Sequence, residues 1–189
     1  MNKVLLSVLL LALPLVANAG RYHRHYDYAY NETGMYLGAN VGAFSNSQSE
    51  DGLVGAALKI GFDLDRHIAL EAHLGGSDWE NYGDPHYEER IAGFTGLFFR
   101  ANLPLERHKL YGLLGYSNFE FETSEYVGED IFGEIWQNDR FERSGASYGM
   151  GLDLFLGPRS AINLQFMRYL GGEATDLNQF SVGLRYSFY

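Results

Sequence analysis

The chain has 189 residues and a formal net charge of −10, with no cysteine and with 23 glycines, 14 tyrosines and 13 phenylalanines against four prolines. That length fits one domain or one small barrel and excludes a second folded module. The acidic surplus leaves nothing to neutralise phosphates, which excludes nucleic acid as a partner, and the absence of cysteine excludes a disulfide framework.

At the N-terminus Lys3 precedes an apolar run from Val4 to Val16, broken only by Ser7, and then Ala17-Asn18-Ala19. This is the layout of a secretory signal peptide, predicting cleavage after Ala19 (residues 1–19). The run falls short of the roughly 20 apolar residues that a spanning helix needs. Removal of residues 1–19, with Lys3, leaves 170 residues and a net charge of −11. Residues 20–33 (GRYHRHYDYAYNET) carry no core pattern and predict a periplasmic lead-in. The alternation His23, His25, Asp27 places three metal-ligand types on one side of an extended chain, but with no further ligand fixed by the fold it reads as a hydrated linker.

From Gly34 onward the organising signal is period two, over eight segments. The first, about 34–43, sets Met35, Leu37, Ala39 and Val41 against Tyr36, Gly38, Asn40 and Gly42. The second, about 53–64, opposes Val54, Leu58, Ile60 and Phe62 to Gly55, Lys59, Gly61 and Asp63, and the third, about 68–77, opposes Leu70 and Leu74 to Glu71 and His73. The fourth (91–103) and fifth (109–119) are apolar on both faces, although Arg100 and Asn102 share one face of the fourth. The sixth (145–156) sets Tyr148, Met150, Leu152 and Leu154 against Ser147, Gly149, Gly151 and Asp153, and the seventh (161–170) sets Ile162, Leu164 and Phe166 against Asn163, Gln165 and Met167. The closing strand opposes Phe180, Val182, Leu184, Tyr186 and Phe188 to Ser181, Gly183, Arg185 and Ser187.

These segments have about the 9–11 residues with which a tilted strand crosses a bilayer. The connections at 65–67, 104–108 and 157–160 are short, whereas those at 44–52, 78–90, 120–144 and 171–178 are long. Short turns at one rim and long loops at the other predict an all-β fold: an eight-stranded antiparallel up-and-down transmembrane β-barrel over residues 34–189. A soluble lipocalin-like barrel is the alternative, but it would turn its greasy face inward.

Strand parity then sends Lys59, Asp63, Glu71, His73, Arg100, Asp153 and Arg185 inward, with Asn163 and Gln165. A barrel this small is filled by side chains, and buried charges must pair, so a structural plug is expected; a gate made of exchanging ion pairs is the competing reading. The 120–144 connection holds eight acids against Arg140 and Arg143, a net −6, with Tyr126, Phe132 and Trp136 as candidate contact residues. Its alternation near Phe119 and Phe121 suggests that the flanking strands continue as a hairpin. It reads either as an acidic cap that shields the barrel mouth or shares divalent cations with lipopolysaccharide, or as a partner-binding surface with aromatic anchors. Arg168 falls on the lipid side, suited to a lipopolysaccharide phosphate. Tyr22, Tyr36, Tyr111, Tyr116, Tyr148, Tyr169, Tyr186 and Tyr189 are expected as interfacial girdle residues.

The runs Tyr36 to Gly42, Lys109 to Tyr116 (KLYGLLGY), Tyr148 to Leu154 (YGMGLDL) and the closing SVGLRYSF resemble small eight-stranded outer-membrane barrels: the membrane domain of outer-membrane protein A, outer-membrane protein X and the opacity-type surface proteins. The resemblance implies a bacterial outer-membrane location, export through the periplasm, and a closing-strand signal at Gly183, Tyr186 and Phe188 for the barrel assembly machinery. Such families usually end on the aromatic that here is Phe188, whereas this chain adds Tyr189. The chain ends with the barrel, so the wall-binding role of outer-membrane protein A is not carried over. Some eight-stranded barrels modify lipid A through a Ser/His/acid site. Here His73 and Ser77 lie about 13 Å apart along a strand, His67 and His108 fall in short turns, and no serine is tied by spacing to His86. The expectation is a non-enzymatic surface barrel without cofactor or metal, in contact with outer-membrane lipid and an unidentified outside ligand. A narrow ion or solute channel is the alternative and a lipid A-modifying enzyme the third.

Overall fold

The protein is described by a computed structural model over residues 33–46, 52–79, 87–105, 108–130, 133–171 and 175–188. The signal segment and all of the lead-in but Thr33, with His23, His25 and Asp27, lie outside these residues, as do His86, Phe132 and Tyr189. Eight strands follow one another: β1 (Gly34–Asn46), β2 (Gly52–Asp63), β3 (Ile68–Ser77), β4 (Tyr87–Leu105), β5 (His108–Asp130), β6 (Gly133–Phe155), β7 (Ser160–Gly171) and β8 (Thr175–Phe188). Each is antiparallel to its chain neighbours, and β1 closes on β8 from Met35↔Phe188 to Asn46↔Leu177, giving a closed barrel in sequence order.

Period two in the sequence becomes inside and outside in the barrel, with polarity inverted relative to a water-soluble fold. Leu58, Leu97 and Met150 are more than 60% exposed, while Arg100, Glu71 and Asp153 are at most 1% exposed. An apolar outside and a charged inside fit an apolar surrounding. Strands β2, β3 and β7 have 12, 10 and 12 residues, about a tilted bilayer crossing.

One rim is made of tight turns. In the first, the Asp65 carboxylate accepts backbone hydrogen bonds from His67 (2.6 Å) and Ile68 (2.8 Å), an Asx turn that fixes the β2–β3 register. In the third, Leu156 N donates to Ser160 O at 2.9 Å.

The opposite rim departs from the expected loop boundaries. β5 and β6 each run 23 residues and pair from His108↔Leu154 to Asp130↔Gly133, so nearly all of the 120–144 connection is strand. β4 joins them, pairing with β5 up to Tyr87↔Glu125. A bulge between Ile91 and Gly93 resets its alternation, which is why Ile91 and Phe94, three positions apart, are both buried. A second bulge lies between Tyr126 and Gly128, and Gly128 has φ of 151°, a backbone conformation that favours glycine.

Three of the expected girdle tyrosines are corrected. Tyr36, Tyr111 and Tyr169 are buried inside the barrel at 1%, 4% and 2% exposure, where their hydroxyls meet polar partners instead of headgroups. Tyr116 and Tyr148 do face outward.

Candidate functional site

The barrel interior has two storeys. In the storey nearer the short turns, all seven expected charged or titratable residues come together. Glu71 accepts from Tyr36 Oη (2.5 Å) and Arg100 Nη1 (2.9 Å) and pairs with His73 Nε2 (2.5 Å). Arg100 reaches on to Asp153 (2.5 Å) and Asn102 (2.8 Å), and Asp153 is shared with Arg185 (2.8 Å), which also pairs with Asp63. Asn163 donates to Asp153 (2.7 Å) and to the Tyr111 hydroxyl (2.6 Å). Lys59 donates to Asn163 (2.8 Å) and Gln165. The belt takes side chains from all eight strands.

Two repeated three-layer units organise it. Tyr36 stands directly across from Gly61, and Tyr111 from Gly151. A Cβ at either glycine would lie 2.0 Å and 2.2 Å from the respective tyrosine atoms. Only glycine lets each phenol ring lie flat against the neighbouring strand. On each ring sits an arginine: Arg185 at 3.6 Å from the Tyr36 centroid and Arg100 at 3.6 Å from that of Tyr111.

One member was not anticipated. Lys109, on a strand whose two faces both look apolar in sequence, is 1% exposed and lies 4.0 Å from Asp63. The available signal was its odd-numbered parity with Tyr111, Ser117 and Phe119. Lys109 raises the bases to four (Lys59, Arg100, Lys109, Arg185) against three acids, so with His73 neutral the belt carries +1 instead of the expected zero. The void beside Lys59, Glu71, Arg100 and Arg185 is about 10 Å³, room for about one water.

The storey nearer the long connections is an aromatic lid. Phe94 stacks on Phe119 at 5.0 Å, and Tyr169 meets Phe119 edge-on at 4.8 Å. Phe44, beyond the expected end of the first strand, approaches Phe94 at 5.7 Å. These four rings come from β7, β5, β4 and β1, with Leu53, Ile91, Met167 and Leu177 packed around them. The sequence did not show this cluster: Phe44 and Leu177 fell in expected loops, Tyr169 among the expected girdle residues and Phe119 on a strand greasy on both faces.

Above the lid, β4, β5 and β6 continue as a three-stranded sheet. Its outer face carries a row of charge across the strands, in which Glu122 accepts from Arg90 and from Arg140 (3.3 Å). Those hydrogen bonds, Arg90's foremost, hold the Glu122 carboxyl below the usual glutamate range. On the inner face Phe121 stacks on Phe141 at 5.2 Å, with Arg143 5.1 Å from the Phe141 centroid. Tyr126 and Trp136, two of the candidate contact residues, form one edge-on pair at 5.7 Å near the hairpin's end. Arg168 lies across from outward-facing Tyr148, between buried Met167 and Tyr169, which places it on the lipid side.

The serine and histidine considered for catalysis are engaged elsewhere. His73 is bound to Glu71, and Ser77 Oγ accepts from Ile91 N (2.8 Å) and donates to Asp78 O (3.1 Å).

The profile of the family described as outer membrane protein beta-barrel domain matches residues 4–188. Among solved structures, the attachment invasion locus protein Ail of Yersinia pestis superposes with a TM-score of 0.58 at 15% identity, covering 84% of this chain and 99% of Ail. Neisserial surface protein A gives 0.57 at 14%, covering 82% and 97%, and OprG of Pseudomonas aeruginosa gives 0.56 at 12%, covering 85% and 99%. At such identities the likeness is one of fold. No curated protein sequence matches the chain.

Proposed function

The chain belongs to the outer-membrane β-barrel family and resides in the bacterial outer membrane, and we propose that within it this protein is a non-enzymatic surface-contact barrel, its interior a closed scaffold and its β5–β6 hairpin the working part. The observation that carries this is the contrast between β2, β3 and β7, at 10–12 residues, and β5 and β6, at 23. Strand beyond the bilayer's need, ordered by cross-strand ion pairs and ring stacks, adds nothing to insertion. It does present an acidic, aromatic surface, with Tyr126 and Trp136 near its end as anchors. Arg168, beside Tyr148 on the lipid side, is positioned for a lipopolysaccharide phosphate. Gly183, Tyr186 and Phe188 are read as the signal for the barrel assembly machinery, and residues 1–19 as the export signal.

The test is to replace Thr123–Asp139 by Asn-Gly, a two-residue turn that leaves Glu122 and Arg140 flanking it as a cross-strand pair. The shortened protein is expected to assemble and to run heat-modifiably on gels, while cells carrying it lose attachment to surfaces that bind wild-type cells. Undiminished attachment would overturn the reading.

A further inference from the structure

β6 pairs with β5 along its whole length, but with β7 only from Ser147↔Tyr169 downward. Residues 133–146 therefore present a ladder edge that no strand covers among the described residues, and Ile135 and residues 137–142 are exposed. Natural sheets blunt such an edge or use it. Here the charges along the edge follow a pattern that blunting does not require.

Around Phe141 the sequence reads Asn138, Asp139, Arg140, Phe141, Glu142, Arg143, Ser144. Laid antiparallel against a second copy with Phe141 opposite Phe141, Arg140 faces Glu142 and Asp139 faces Arg143. By the two-fold symmetry of an isologous contact each pair occurs twice, giving four opposite-charge pairs flanking one ring pair, with Asn138 opposite Ser144 at both ends. Residues of equal parity share a face, so each pair also lies on one side of the combined sheet. Asp139 and Arg143 lie on the inner face with Phe141, and Arg140 and Glu142 on the outer. The seven paired residues stop short of Ser147, where β7 takes over the edge, and short of the bulge at Tyr126/Gly128, which lies opposite Ile135 and Trp136. Moving the register by one residue in either strand puts Arg140 opposite Phe141 or Arg143 and loses the match.

We propose that this edge is a homotypic docking strand whose partner is a second copy of this chain. The proposal rests on the surface-contact reading above and names its partner. The geometry fixes the arrangement. Antiparallel edges joined in one sheet are related by a two-fold axis normal to the sheet, which inverts one barrel relative to the other. The two copies must stand in two facing membranes, so the contact joins cells or vesicles and does not form a dimer within one membrane.

The experiment is clustering of proteoliposomes carrying the refolded mature chain, read by turbidity. Wild-type vesicles are expected to cluster. Asp139→Arg and Arg143→Asp each set like charges against each other at two places, and each is expected to weaken clustering by about tenfold or more. Mixed together, Asp139→Arg vesicles and Arg143→Asp vesicles restore four complementary pairs between unlike copies, and the mixture is expected to cluster although neither component does alone. Glu142→Arg changes the net charge by as much as Asp139→Arg but leaves repulsive pairs, so its mixture with Arg143→Asp is expected to stay dispersed. Rescue by the mixture is immune to misfolding, because both partners must present intact edges. Dispersed wild-type vesicles, or failure of the complementary mixture, would overturn the self-pairing. If the Asn-Gly replacement of Thr123–Asp139 nevertheless abolished attachment, the surface-contact reading would stand with a different partner, whereas undiminished attachment would remove both.

Discussion

Within the lumen, the side chains differ in how much depends on them. Arg100 bridges Glu71 and Asp153 while lying on the Tyr111 ring, so its removal strands two buried carboxylates at once. Lys109 sits 4.0 Å from Asp63, which keeps Arg185 as its close partner. Removing one partner of a buried pair costs about 3–5 kcal/mol because the other charge remains without compensation. Arg100→Ala is therefore expected to lower the refolded barrel's stability by about that amount, and Arg185→Ala, which strands Asp63 and part of Asp153, by a similar one. Lys109→Ala is expected to cost clearly less. Urea unfolding in detergent micelles measures this order, and equal midpoints for Arg100→Ala and wild type would show that the belt does not hold the barrel together. Most of the belt was legible because charge at an inward parity on a strand with one greasy face has nowhere else to go. Lys109 was obscured by a strand greasy on both faces, and Tyr36 and Tyr111 by the commoner use of tyrosine at an interface.

At the level of the element, the β4–β5–β6 sheet depends on Glu122, which ties its three strands together through Arg90 and Arg140. Because the folded carboxyl titrates below its ordinary range, its contribution is complete above the usual glutamate pKa of about 4.3 and is lost as the pH falls through the lower folded value. Glu89, on the same sheet, acts oppositely: burial raises its pKa, so protonation relieves a penalty as the pH falls through that raised value. The sheet is thus expected to hold or gain slightly in protection as the pH falls from neutral toward the usual glutamate pKa of about 4.3 and to lose it below that, with Glu122→Gln abolishing the acid limb. Hydrogen exchange of residues 118–126 over that range checks the sign, and protection that rose steadily into acid would contradict it. The hairpin was only partly visible in the sequence. Phe119 and Phe121 alternate with Glu120 and Glu122, but the bulges at Ile91/Gly93 and Tyr126/Gly128 break period two at the points where a pattern of strict alternation would end the strand.

For the whole molecule, the question is whether anything passes through it. The eight strands, their order and the inverted polarity followed from alternation and from connection lengths alone. A filled lumen was expected from the barrel's small size, but which side chains meet inside it was not legible, because that depends on which inward positions share a level, and the level is set by the stagger between strands. The structure places two barriers in series: the ion-pair belt, and the lid in which Phe94, Phe119 and Tyr169 pack within 6 Å of one another. The barriers use different physics. Removing a charged partner weakens the belt but leaves the rings packed, and cutting back the rings leaves the belt paired. Single-channel recording of the refolded mature chain is accordingly expected to be silent, and Phe94→Ala with Phe119→Ala is expected to remain silent at neutral pH despite opening the outer storey. Arg100→Ala added to that pair removes both barriers and is the combination expected to conduct, provided it still assembles by the heat-modifiability test. Steady openings from the wild-type chain would instead mean that the belt exchanges partners and the lid swings aside together, and transport would replace surface contact as the leading function.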